Sequence, residues 1–262
     1  MVSINPLKKQ LMNIAVFASE QVGYEIVSHF KARKKKLVCL VLDVGDPQNM
    51  NKTIIESAYS DHILYSDFIC SKVGLDFLKS IDIELGILAW WPQLITEPLL
   101  HIPKYGFINM HPSYLPYNRG KHYYFWNIVE ELPFGVSLHF INKNIDAGDI
   151  AFQKRVEKGW EDTGFSLREK SLSEIVSLFR ENFDVIVSGQ IPHSKQNLEA
   201  GTFHQGSELE NASRIDLDGS YSARRLLNII RGRSGFQQGG AWFCDNNEKY
   251  EINITIKRVK SG

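Results

Sequence analysis

Hydrophobic positions along this 262-residue chain fall into two periods. Short, nearly unbroken apolar runs occupy residues 13–18, 37–42, 85–89 and 106–110. A run of this length reads as a strand buried on both faces, the kind found in parallel sheets. Between the runs the apolar residues recur at helical spacing: Val22, Ile26, Val27 and Phe30 after the first, and residues 73–81 before the third. Ser19 stands where the first of these helices would take its N-cap. Strand, helix and strand in this alternation open a βαβ unit and predict an α/β fold.

The remainder is less regular. Residues 43–69 are polar and broken, with one short strand expected around 63–65. A helix with a large aromatic face is expected over 121–130, and an alternating strand that includes His139 over 134–141. A turn at 146–149 leads into a strand over 151–156, and a long amphipathic helix follows over 166–187. Residues 188–206 are rich in Gly, Pro, His, Ser and Gln and read as a linker or domain boundary. Beyond it, a capped helix is expected over 214–231, and then two strands within 241–259 around a turn at 245–247. The predicted architecture is a Rossmann-like, mostly parallel sheet flanked by helices over 12–205, with a small helix-plus-β-hairpin extension over 206–262.

Composition narrows the function classes. Lys and Arg together number 30, as do Asp and Glu, so there is no global attraction for nucleic acid. The run Lys31–Lys36 reads as a solvated helix end whose cations suit the helix dipole. No apolar run reaches the roughly 18 residues of a membrane span. Residues 1–10 carry two lysines without an apolar stretch behind them, so no signal peptide is expected, and residues 1–11 are expected to be a frayed extension. Cys39, Cys70 and Cys244 are far apart, which suggests a reducing, cytoplasmic setting, with Cys39 in the core. The first strand–helix junction reads Ala-Ser-Glu-Gln-Val-Gly, with no G-x-G-x-x-G, and no P-loop appears elsewhere. That argues against NAD or ATP in their usual modes. No metal-ligand spacing is present, and no metal is expected.

Candidate chemistry gathers after the fourth apolar run. Asn109 and His111 share a strand face by the period of two, and Pro112 and Pro116 stiffen the loop that follows. The carboxyl end of a parallel strand is where open α/β sheets place ligands. Taken alone, Asn-x-His reads as a strand-end Asn and a satisfied core His. The longer string is Asn109-x-His111-Pro112-Ser113-x-Leu115-Pro116-x-x-Arg119-Gly120, followed by Asp146-x-Gly148-Asp149. It resembles the signature of formyltransferases that use 10-formyltetrahydrofolate. Residues 216–243, an Asp, a helix, Ile-Arg-Gly and Gly-Ala-x-Phe, resemble the C-terminal extension of methionyl-tRNA and sugar formyltransferases.

The resemblance implies a catalytic set of Asn109, His111 and Asp146, with 10-formyltetrahydrofolate as donor. It puts pterin contacts near Trp91, Gln93 and Ile95, although the two tryptophans at 90 and 91 also read as plain core. His139, seven residues before Asp146, reads as structural or as a neighbour of the site. Chain length, the aromatic run at 121–126 and the short tail resemble the branch that formylates nucleotide-linked amino deoxysugars for bacterial surface polysaccharide (O-antigen). The preferred acceptor is dTDP-4-amino-4,6-dideoxyglucose, with contacts from Ser113, Lys121, Tyr221, Arg224 and Arg231. GDP- or UDP-linked amino sugars and methionyl-tRNA are the alternative acceptors. A formyltetrahydrofolate hydrolase and a non-catalytic nucleotide-binding module are the alternatives of other classes. A homodimer with no nucleic-acid or membrane partner is expected by the same resemblance.

Overall fold

The computed structural model of the protein describes residues 12–259; the expected frayed extension, 1–11, lies outside them. In chain order the elements are β1 (Ile14–Ala18), α1 (Glu20–Ala32), β2 (Cys39–Leu42), α2 (Asn51–Glu56), β3 (Ile63–Tyr65), α3 (Ser66–Ile69), α4 (Lys72–Ser80), β4 (Leu85–Ala89), α5 (Glu97–Leu100) and β5 (Phe107–His111). There follow β6 (Arg119–Gly120), α6 (Tyr123–Val129), β7 (Gly135–Phe140), β8 (Ile150–Arg155), α7 (Gly164–Glu181) and α8 (Phe183–Val187). The last are β9 (Phe203–His204), α9 (Glu208–Ala212), α10 (Ala223–Arg233), β10 (Ala241–Asp245) and β11 (Glu248–Ile252). Two compact units form, Met1–Met110 with Phe179–Ser194 and His111–Leu178 with Lys195–Gly262.

In the first unit the strands lie in the order β3-β2-β1-β4-β5, all parallel. Every residue of β1, β2 and β4 is buried, as continuous apolar runs require. Phe17 meets Phe107 edge-on at 5.2 Å between ring centres. Cys39 belongs to this core, and burial pushes its thiol up to about 12. Ser19 does precede α1, but its hydroxyl makes no capping bond; its N–H donates to the Ala89 carbonyl across the β1–β4 pair. The polar stretch after β2 holds two short helices that periodicity misses. Asp46 starts the first of them, accepting from the N–H groups of Met50 at 2.6 Å and Asn51 at 3.0 Å. The helix expected over 166–187 breaks at Asn182, whose φ of −106° and ψ of 7° leave the helical region. The next residue, Phe183, packs edge-on against His29 and Phe30 at 4.7 and 5.0 Å.

In the second unit β7 and β8 pair antiparallel, with an irregularity between Leu138 and His139. The short strands β6 and β9 pair parallel, so the segment expected to be a linker contributes a strand. Helices α6 and α10 pack together, and Tyr123, Ile128, Phe134 and Leu167 form one apolar cluster beside them. The late helix begins at Ala223, with Ser222 Oγ capping the Arg225 N–H, rather than near 214. Arg214 instead bridges Trp242, which draws its backbone out of helix. The expected hairpin forms from β10 and β11, turned by Asn246 and Asn247 with φ of 49° and 66°, the pair of left-handed residues of a type I′ turn. The α/β class, the mostly parallel sheet and the C-terminal hairpin are those expected from sequence. Among the described residues no helix is long and apolar enough to cross a membrane.

Candidate active site

Strand β5 carries the motif into position. Phe107, Ile108, Met110 and His111 are buried, and Asn109 is half-buried. The period of two puts Asn109 on the same strand face as His111. The main chain of the proline-rich loop beyond is held by side chains of β7 and β8. Ser137 Oγ donates to the Ser113 carbonyl at 2.7 Å and accepts from the Leu115 N–H at 3.1 Å. Gln153 donates to the Leu115 carbonyl at 2.7 Å, and the Leu115–Pro116 bond is cis. This loop delivers Asn118 to the imidazole, with its carbonyl oxygen 3.2 Å from His111 Nε2.

On its other side the ring meets a carboxylate. His111 Nδ1 lies 3.5 Å from Asp146 Oδ2, and His139 Nε2 lies 3.5 Å from Asp146 Oδ1. The Gly120 N–H donates to Asp146 Oδ2 at 3.0 Å. Two glycines of the motif have steric reasons to be there. A Cβ at Gly120, where φ is +88°, would come within 2.2 Å of the His204 carbonyl oxygen, and one at Gly148 within 1.9 Å of the Phe140 oxygen.

Electrostatics separate the two groups. Burial pulls the His111 pKa down from 6.5, against the pull of the Asp146 charge upward. Burial also pushes the Asp146 carboxyl up, but His111, His139 and the Gly120 N–H outweigh it and hold the group well below the ordinary carboxylate range. Both nitrogens of His111 nevertheless face acceptors. A proton arriving on the ring would find a carbonyl oxygen on one side and a carboxylate on the other.

The other predicted residues fall in both units. In the first unit Trp91 meets Phe17 edge-on at 5.4 Å. Gln93 Nε2 donates to Asp43 Oδ1 at 2.6 Å, and Ile95 is half-buried. The neighbouring residues Glu20 and Trp90, just past β1 and β4, have φ of 55° and 62°. Side-chain-bearing residues rarely adopt that backbone, and such outliers cluster at ligand sites. Chain connections diverge between β1 and β4, the position where open sheets bind ligands.

In the second unit Ser113 is buried, and its hydroxyl donates to the Tyr117 carbonyl. Lys121 is exposed just before α6. The Tyr221 hydroxyl accepts from the Asp216 N–H at 3.1 Å. Arg224 and Arg231 both lie over the Trp160 ring, 5.0 and 4.7 Å from its centre. With Glu131, Lys158 and Gly159 they line a cleft of about 230 Å³. Arg231 is buried and donates to Asn228 Oδ1 and to the carbonyls of Gly159 and Asp162. Arg224, in contrast, is exposed and pairs with Glu131 at 3.0 Å.

His139 and Trp160 acquire places that pattern alone did not assign. His139 carried a faint signal, its spacing from Asp146. Trp160 carried none, since it sits in a polar stretch outside any motif. Among the described residues, no group of three His, Cys, Asp or Glu side chains is arranged to hold a metal ion.

Residues 12–179 match the family model described as formyl transferase, and residues 208–258 match the N-formyltransferase dimerization C-terminal domain. A methionyl-tRNA formyltransferase of Clostridioides difficile is 29% identical over 162 residues, covering 62% of this chain and 52% of its own length. The chain thus spans about half the length of the methionyl-tRNA formyltransferases that it first matches. A 4-N formyltransferase from Francisella tularensis has a similar structure, with a TM-score of 0.78 and 24% identity, over 95% of this chain and 99% of that one. An N-formyltransferase from Helicobacter canadensis, solved with folinic acid and dTDP-3-aminofucose, has a TM-score of 0.62 and 17% identity, over 84% of this chain and 80% of that one. Likeness at these identities shows a shared fold.

Proposed function

Since this chain belongs to the formyl transferase family, we propose that it moves a formyl group from 10-formyltetrahydrofolate to the amino group of a nucleotide-linked amino deoxysugar. The observation that carries the reading is the Asp146 carboxylate set between two imidazoles, one of them the His of the Asn-x-His motif. Formyl transfer is acyl transfer between nitrogens. A neutral amine attacks the formyl carbon and negative charge gathers on the formyl oxygen. The C–N bond to the folate then breaks, while the proton shed by the amine passes to the leaving nitrogen.

Asn109 is the donor aimed at that oxygen; removing one such donor typically costs about 2.7–4 kcal/mol of barrier. His111, kept neutral at rest by burial, takes part in the proton transfer, a contribution of roughly 10²–10⁴ in rate. Asp146, held ionised, orients the ring and stabilises the charge it gains. The folate contacts are assigned to Trp91, Gln93 and Ile95, supported by the strained backbone at Glu20 and Trp90 beside them.

The sugar acceptor is supported by the dTDP-3-aminofucose present with the Helicobacter enzyme. dTDP-4-amino-4,6-dideoxyglucose is the preferred substrate, in the synthesis of surface polysaccharide. Among the residues assigned to it, Lys121 and Arg224 have exposed charge to offer a diphosphate, and Trp160 adds an aromatic face. Residues 12–205 are assigned as the catalytic domain and 206–262 as the subdomain through which two copies associate in the cytoplasm. A thermal-shift screen with dTDP-, GDP- and UDP-linked amino sugars, with and without folate, tests the acceptor. Stabilisation by at least one nucleotide sugar is expected. Stabilisation by none of them, together with formylation of methionyl-tRNA, would reject it.

A further inference from the structure

We propose that Gln196 is a positioning residue of the active site, its side-chain amide fixing the Asp146 backbone and, through it, the carboxylate that faces His111 and His139. The inference rests on the catalytic reading of His111 and Asp146. Asp146 lies in the loop between β7 and β8, and its φ of +50° lies in the left-handed region, which Asp tolerates better than most side-chain-bearing residues. Residues 142–145 of this loop are exposed, so apolar packing does not hold it.

What holds it is polar. The single amide nitrogen of Gln196 donates to the Asp146 carbonyl at 3.0 Å and to the Gly148 carbonyl at 2.6 Å. The clamp therefore grips the main chain on both sides of Ala147. Two carbonyl oxygens demand the NH₂ end of the amide, which settles its orientation. Gln196 Oε1 is buried with no partner, so the side chain is held by its donors alone.

The same segment also grips the other loop at the imidazole. Thr202 Oγ1 accepts from the Asn118 N–H at 2.9 Å, and the Thr202 carbonyl accepts from the Arg119 N–H at 3.1 Å. The His204 carbonyl accepts from the Lys121 N–H at 3.0 Å. Residues 195–204 thus run as a strap past both groups that face His111: the Asn118 carbonyl and the Asp146 carboxylate. Lys195 and Asn197 to Ala200 are exposed while Gln196 is half-buried among them, and it is the Gln196 side chain that bonds the Asp146 loop.

The test compares Gln196→Leu, which loses the donors, and Gln196→Glu, which turns an oxygen toward the two carbonyls, with Asn197→Ala as an exposed neighbour. Two quantities are read: the titration of the His111 ring by NMR in the free protein, with Asp146→Asn as reference, and kcat against KM for formyl transfer. Misplacing a catalytic group by about 1 Å can cost about 10²-fold. Both Gln196 variants are expected to lose roughly 10- to 100-fold in kcat with KM for the folate little changed. In both, His111 should titrate at lower pH, in the direction Asp146→Asn moves it. Asn197→Ala should match the wild type in both quantities. Folded Gln196 variants with wild-type titration and kcat would overturn the proposal. So would unfolding of both variants while Asn197→Ala stays folded, since the amide would then serve the fold rather than the site. The titration needs no acceptor. A wild type without formyl transfer would therefore reject the transferase reading and leave the clamp to be judged by the ring's titration.

Discussion

Strands β1, β2 and β4 of the first unit bury all their residues and bring no titratable side chain into their interior except the Cys39 thiol. His111, Asp146 and Asn118 of the second unit sit at a strand end and in two loops, and polar contacts place them, some from a side chain to a main-chain atom and some between side chains. One region is ordered by apolar area removed from water, which is non-directional and tolerant of detail. The other is ordered by hydrogen bonds that fix atoms within a few tenths of an ångström and contribute modestly to stability. Damage to the first should therefore appear as lost stability at unchanged chemistry, and damage to the second as lost rate in a folded protein.

Substitution at the imidazole gives the largest separation. His111→Asn should lower kcat by about 10²–10⁴ while the melting temperature stays near that of the wild type; a loss of rate matched by an equal loss of folded protein would erase the contrast. Next comes Asn109→Ala, expected to cost about 10²–10³ in kcat through the missing oxyanion donor. Equal kcat with a raised KM would instead make Asn109 a binding group. In the sheet, Ile87 is fully buried on β4. Ile87→Ala should destabilise the protein by about 2–5 kcal/mol in chemical unfolding, with specific activity per folded molecule retained. Impaired kcat in the folded fraction would show that the sheet tunes the site.

The smallest effect is a pH dependence. Burial lowers the folded pKa of His111 from 6.5, so between that folded value and 6.5 the unfolded chain holds the extra proton. Stability then rises with pH through this window and is lost as pH falls below about 6.5. His29 and His122 are shifted in the same direction and remain in the variant. The decline in unfolding free energy from pH 7 to acid should be shallower in His111→Asn than in the wild type. Parallel curves would mean that the ring is not held neutral.

The same contrast explains what could be read from the sequence. The buried strands announce themselves as apolar runs, and the boundaries expected for β1, β2, β4 and β5 fall within two residues of those observed. Asn109, His111 and Asp146 were legible because a spaced signature carries them, and Asp146 does lie beside His111. What pattern could not supply was set by polar contacts between distant residues. Asp46 starts a helix with its side chain in a stretch without period. Arg214 pairs with Trp242 and shortens a helix whose spacing looked continuous. The segment around Gln196 has the composition of a linker, and its role depends on two carbonyls some fifty positions away. Arg231 looks like an anion ligand by residue type, and the fold engages its Nε and Nη1 donors with Asn228, Gly159 and Asp162.

The central claim is that the Asp146–His111 pair runs proton transfer during formyl transfer to an amine. It is tested most directly by single-turnover formylation of a nucleotide-linked amino sugar, with the product identified by mass spectrometry, in the wild type and in Asp146→Asn. The wild type is expected to give the formamido sugar, and the variant to bind 10-formyltetrahydrofolate normally yet react about 10²–10⁴ times more slowly. A folded Asp146→Asn that formylates at the wild-type rate would contradict the claim.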